Sequence, residues 1–95
     1  MQNLHRIYLT PQAGADVEKI AEYYNDLDPE QREAFLYDFY SCLGLLDDFP
    51  KLFQEEYRHV RGALLSAFPY KVLYSLYKEK VIVFSIFHTS QKPKK

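Results

Sequence analysis

Six side chains in the second half of the chain have the chemistry to grip an anion or move a proton: Arg58, His59, Arg61, Lys71, His88 and Lys92. Cations beside a phosphodiester hold the phosphate and stabilise the charge that builds in its transition state. A histidine changes charge near neutral pH and can carry the proton. The same groups also suit an acidic protein segment, where they would dock a partner and catalyse nothing. Spacing leaves both readings open, and a strand-end histidine or a lysine-rich tail is equally ordinary on a solvated surface. No metal-ligand motif, phosphate loop, dinucleotide fingerprint or nucleophile elbow occurs. One cysteine, Cys42, and three scattered histidines give no zinc site, so no metal and no cofactor are expected.

The elements that must carry these groups follow from periodicity. "LHRIYLT" reads as a short first strand. Thr10 then Pro11 starts a helix, with Thr as N-cap and Pro in the first turn. Ala13, Val17, Ile20, Ala21 and Tyr24 form its apolar stripe, with Glu18, Lys19 and Glu22 outside. Asp28 caps a second helix, Pro29 enters it, and Gln31 completes a capping-box pattern. Phe35, Phe39, Cys42, Leu46 and Phe49 repeat at helical spacing, with Leu36, Tyr40 and Leu43 as a second apolar row. That surplus row either meets the first helix or serves a partner, a free homodimer included. Pro50 ends the helix, and "KLFQEEYR" reads as a connection.

Strands dominate from there. Residues 57–65 read as one strand interrupted by Gly62. "FPYKVLYSLY" alternates, with Tyr70, Val72, Tyr74 and Leu76 on one face and Lys71, Leu73, Ser75 and Tyr77 on the other. "KEK" makes a polar turn, and "VIVFSIFH" is apolar on both faces, so it belongs in the middle of the sheet. The expected fold is α+β in the order β-α-α-β-β-β. A small, mostly antiparallel sheet carries a two-helix hairpin on one face. The opposite face is expected to display Arg, Lys, His and Tyr, with Arg61 and Lys71 on adjacent strands and His88 ending the third.

Ninety-five residues, 47% of them hydrophobic, make a single domain over 1–95 with one modest core. The lone cysteine fits a reducing cytoplasm, and the sequence shows neither a signal peptide nor a membrane span. The net charge of −1 hides a division. Residues 1–56 carry four Lys/Arg against twelve Asp/Glu, and residues 57–95 carry eight against one. Such segregation points to an anionic partner on one side. The whole molecule is not basic, however, and bulk electrostatics alone would bind nucleic acid poorly.

Taken together, the last third resembles the RelE/ParE superfamily of bacterial type II toxin–antitoxin toxins, also known as plasmid-stabilisation proteins. "VRGALLSAFPYKVLY" and "VIVFSIFHTSQKPKK" carry the likeness through Arg61, Phe68, Pro69, Tyr70, Tyr74, His88, Thr89, Ser90 and Pro93. "YLTPQAGADVEKIAEYY" and "LLDDFP" are similar to the family's first strand and helix and to the end of its second helix, so the likeness spans roughly residues 4–93. It implies a toxin neutralised by a cognate antitoxin. A ParE-like member would inhibit DNA gyrase without cutting a phosphodiester itself, and this is the reading preferred here. Arg58, Arg61, Tyr70, Tyr74, His88, Gln91 and Lys92 would then meet the target or the antitoxin. A RelE-like member would instead cleave mRNA on the ribosome, with Arg61 and Lys71 on the phosphate and His88 or Lys92 in proton transfer or charge stabilisation. One departure matters: Gln91 stands where many members carry Arg, and it brings no fixed charge and no two-pronged grip on phosphate. A toxin fold that binds but has lost potency is the third reading.

Overall fold

Two side-chain caps start the helices of this computed structural model, which describes residues 6–90. Thr10 Oγ1 accepts the Ala13 N–H at 3.1 Å and opens α1, Pro11–Leu27. Asp28 accepts the Glu30 N–H at 2.9 Å and opens α2, Pro29–Asp48. Each helix has proline in its first turn, where the missing N–H costs nothing. Phe49 is the C-cap of α2 and is exposed, so it is not the last member of the buried stripe. In the second apolar row Leu43 is buried and Leu36 packs on the core, whereas Tyr40 faces solvent.

Five strands complete the order β-α-α-β-β-β-β: β1 Ile7–Leu9, β2 Glu55–Tyr57, β3 Val60–Leu64, β4 Tyr70–Tyr77 and β5 Lys80–His88. They form one mixed sheet in the order β1-β5-β4-β3-β2. Only β1 runs parallel to its neighbour; the other pairs are antiparallel. β5 lies inside the sheet, in keeping with its two apolar faces.

The strand expected over 57–65 is two strands. Tyr57 pairs with Val60 across a two-residue turn, and β2 begins inside the presumed connection. The turn escapes notice because it contains no Gly or Asn; His59 takes the left-handed region at φ 60° instead. Replacing His59 with Gly relieves that backbone and is expected to stabilise the protein by about 0.5–1 kcal/mol, read as a higher urea midpoint. A lower midpoint would show that the side chain matters more than the backbone.

The core lies between the helices and one sheet face. Ala13, Val17, Phe35, Phe39 and Leu46 meet Ala63, Val72, Tyr74, Val81, Val83 and Ile86 there. Among the described residues no helix is long and apolar enough to cross a membrane.

Candidate functional site

Strand register decides where each candidate side chain goes. Arg61 pairs with Tyr74, which is fully buried beneath the helices, so Arg61 points to the helix side. There it binds backbone: Nη1 donates to Phe53 O at 2.5 Å and to Lys51 O at 3.4 Å. Its Nη2 is 3.7 Å from the Glu55 carboxylate, and the side chain is 18% exposed. The Tyr74 hydroxyl donates to Pro50 O at 2.9 Å. Arg61 and Tyr74 together fasten the α2–β2 connection to the sheet.

Lys71 lies on the opposite face, paired with Leu64 and Phe87. Its Nζ sits 2.7 Å from Glu56 Oε2. Gly62 makes room for that pair: a Cβ there would collide with the Glu56 carboxylate and stand 2.9 Å from Lys71 Cδ. The expectation that Arg61, Lys71 and His88 share the uncovered face is therefore overturned: of the three only Lys71 lies there, and Tyr70 and Tyr74 also face the helices. Adjacent-strand membership put Arg61 and Lys71 near each other, but the pleat sends them to opposite sides.

Tyr70 and His88 are cross-strand partners on the helix side, at the far end of the sheet from the β4–β5 turn. Their rings meet edge to face, 5.3 Å between centroids. His88 Nδ1 accepts the Ser90 N–H at 3.1 Å and lies 2.6 Å from Ser90 Oγ. Both line an open groove of about 660 Å³ with Asp16, Lys19, Tyr23 and Tyr24 of α1. The groove exists because β1 covers only Val81–Val83 of β5. Past that point the ladder bulges at Phe84, since Leu73 faces Ser85 while Tyr74 faces Val83. Thr89 N–H bonds Pro69 O toward β4, so the backbone groups of Ile86 and His88 face the groove. Asp16 Oδ2 takes the Ile86 N–H at 3.1 Å. The remaining edge of β5 is open.

Arg58 stands in the exposed β2–β3 turn, remote from the groove. Gln91 and Lys92 lie outside the described residues. Among the described residues no group of His, Cys, Asp and Glu could hold a metal ion.

The sequence reading named none of the groove residues of α1, Asp16, Lys19, Tyr23 and Tyr24, as a site residue, and it also missed Asp38. Asp38 is buried in α2 and its carboxylate accepts three backbone N–H groups, from Ser66 at 3.1 Å, Ala67 at 2.8 Å and Phe68 at 3.0 Å. It shapes the β3–β4 turn and places Phe68 against Tyr24 and Phe35. An acid three residues after Phe35 and four before Cys42, inside an apolar stripe, was the available signal.

Burial pushes the Tyr70 hydroxyl upward, helped by its hydrogen bond with Tyr24, and burial pushes Tyr74 the same way. Burial and the nearby Asp38 charge raise the Cys42 thiol to about 11. Each group loses its proton more readily when unfolded, at about 8.5 for Cys and about 10 for Tyr. Their contribution is thus complete below those values and declines as pH rises through and above them. The urea midpoint is expected to fall between pH 8 and pH 10.5; an unchanged midpoint would contradict this.

A family model described as ParE toxin of type II toxin-antitoxin system, parDE, matches residues 7–93. The chain belongs to the ParE toxin family. A solved structure described as a chromosomal ParDE TA system from P. aeruginosa shares the fold, with a TM-score of 0.76 at 20% sequence identity. That match covers 86% of this chain and 92% of the other. A search of curated protein sequences found no match.

In this ParE-family toxin the two stretches that carry the likeness meet in space. Thr89 donates its N–H at 2.9 Å and its hydroxyl at 3.3 Å to the Pro69 carbonyl. The Phe68-Pro69-Tyr70 turn and the His88-Thr89-Ser90 end are thereby one structural unit at the mouth of the groove.

Proposed function

We propose that the protein acts as a ParE-like toxin by binding rather than by cutting: it inhibits DNA gyrase and is neutralised by a cognate antitoxin. The observation that carries this reading is the separation of Arg61 and Lys71. A phosphodiester nuclease needs its cations converging on one phosphate. Here they point to opposite sheet faces, Arg61 toward Glu55 and backbone carbonyls and Lys71 toward Glu56. The antitoxin is assigned to the groove between α1 and β5, where an extended segment can pair with the open edge at the Ile86 carbonyl and at His88, the Ile86 N–H being held by Asp16. Tyr70 and His88 form the groove wall for that segment; Gln91 and Lys92 follow directly in sequence and are proposed to extend the contact.

The test is purified gyrase supercoiling together with pulse labelling after induction of this chain alone. The reading expects supercoiling to stop at micromolar toxin and DNA synthesis to fall before protein synthesis. Lys71→Ala is expected to keep toxicity, because its ammonium is engaged by Glu56. Protein synthesis falling first, with toxicity lost in Lys71→Ala and His88→Ala, would instead favour an mRNA endoribonuclease. Soluble chain that affects neither process would favour the weakened binder, and Gln91→Arg is then the variant to make.

A further inference from the structure

Among the described residues, the sheet face away from the helices carries no layer of secondary structure, and its side chains form a pattern that the groove does not use. Tyr57 pairs with Val60, Ser75 with Ile82, and Tyr8 with Ile82. One step beyond the Arg61–Tyr74 pair, Val60 lies beside Ser75. Tyr57, Val60, Ser75, Ile82 and Tyr8 therefore form one row across all five strands. Tyr74 is buried under the helices, so its neighbour Ser75 and this whole row face outward. Tyr77, paired with Lys80, extends the same face by one step. The three tyrosines are 53% (Tyr57), 62% (Tyr77) and 46% (Tyr8) exposed, far more than packing on a sheet needs. Tyr57 and Tyr8 each stand two strands from Tyr77, roughly 10 Å on either side.

Cations accompany the rings. Lys78 Nζ lies 5.5 Å from the Tyr77 ring centroid and Lys80 Nζ 5.4 Å from that of Tyr8. Arg58 follows Tyr57 in the exposed turn at the same end of the sheet. Two of the nearby acids, Glu55 and Glu56, are engaged by Arg61 and Lys71, leaving Glu79. The helices hold the opposite charge: residues 11–48 contain ten Asp/Glu and two Lys/Arg. A polyanion is thus repelled from the helical side and drawn to the sheet.

Exposed aromatic rings with lysines beside them suit a strand whose bases are free to stack and whose phosphates need neutralising. We propose that this face binds single-stranded DNA. A duplex hides its base faces and cannot use the tyrosines. Between the rings lie Val60 and Ile82, which offer a ribose 2′-hydroxyl no partner; the Ser75 hydroxyl donates to His59 O at 2.8 Å and so has no proton left to give, only acceptor lone pairs. Deoxyribose crosses that apolar strip without burying an unsatisfied hydroxyl. The activity is independent of the gyrase reading, because its test contains no gyrase.

The experiment is fluorescence anisotropy of labelled oligothymidylate with the full chain at low salt, beside oligouridylate and a DNA duplex. Expected are saturable micromolar binding to oligothymidylate, weaker binding to the other two, and a loss of about tenfold in Tyr77→Ala and in Tyr8→Ala. Tyr77→Phe keeps the stacking face and retains binding. Lys78→Gln and Lys80→Gln each flatten the salt dependence by about 0.7 in the log–log slope. Tyr37→Ala, exposed on α2, changes nothing, and circular dichroism confirms that each variant is folded. Absence of binding at micromolar protein overturns the proposal. So does equal binding of oligouridylate or duplex, or a Tyr77→Ala protein that binds like the parent.

Discussion

Phe35→Ala is expected to destabilise the protein by about 3–5 kcal/mol, the range for emptying a buried aromatic site. Phe35 is fully buried on α2 and is the hub of an aromatic cluster. Its ring lies 5.9 Å from Tyr24, 6.3 Å from Phe39, 5.7 Å from Phe68 and 5.7 Å from Tyr70. Edge-to-face and stacked pairs of this kind add to the area term. The neighbours cannot collapse into the gap, because Phe68 is held by its turn and Tyr70 by the β4 ladder. Small domains have only about 5–15 kcal/mol in total, so most of the margin is lost. Urea unfolding followed by circular dichroism reads the change, with a fall of about 10 °C or more in Tm. Phe35→Leu keeps most of the volume and is expected to lose about 1–2 kcal/mol. A loss below about 1 kcal/mol for Phe35→Ala would refute the hub role. Since Tyr24 and Tyr70 also line the groove, the same substitution is expected to weaken whatever binds there.

Asp38→Ala is the second large effect, about 3 kcal/mol, and its cause is polar. The buried carboxylate receives the N–H groups of Ser66, Ala67 and Phe68. Removing it deletes three charge-assisted hydrogen bonds and leaves three backbone donors to find water. Part of the loss is recovered because Ser66 and Ala67 are exposed and can be hydrated. Asp38→Asn is no full rescue: one amide oxygen still accepts, but the NH2 group then faces a donor. The diagnostic measurement is hydrogen exchange, with the amides of residues 66–68 losing protection before the rest of the sheet. Unchanged protection there would mean that the turn is shaped by Pro69 and its neighbours rather than by the carboxylate. Because Pro69 O receives Thr89, a loosened turn also frees the His88 end.

Much of this architecture is written in local patterns. Thr10-Pro11 and Asp28-Pro29 specify both helix starts through groups within three residues of each cap. Periods near 3.6 and 2 then sort Phe35, Phe39 and Leu46, or Val72 and Tyr74, to the core side. That β5 lies inside the sheet was legible in its two apolar faces, although the central strand is β4 and β1 covers only Val81–Val83 of β5. The Phe-Pro-Tyr and His-Thr-Ser stretches carried the resemblance, and the family it pointed to matches residues 7–93.

Other features depend on partners distant in sequence. Only pairing across β3 and β4 tells that Arg61 goes with Tyr74 and Lys71 with Leu64, because a one-residue step in register exchanges the faces. The Phe84 bulge makes such a step inside β5 and brings His88 to the helix side with Tyr70. The acid partners, Glu55 and Glu56, come from a strand that the sequence hid behind a glycine-free turn. The groove arises from a length difference between β1 and β5, and no single segment encodes it. Chain-local forces therefore determined which elements form and which family they spell. Register, bulge and unequal strand length, which are properties of pairing between distant segments, decided which charges are neutralised and which surface is left to bind.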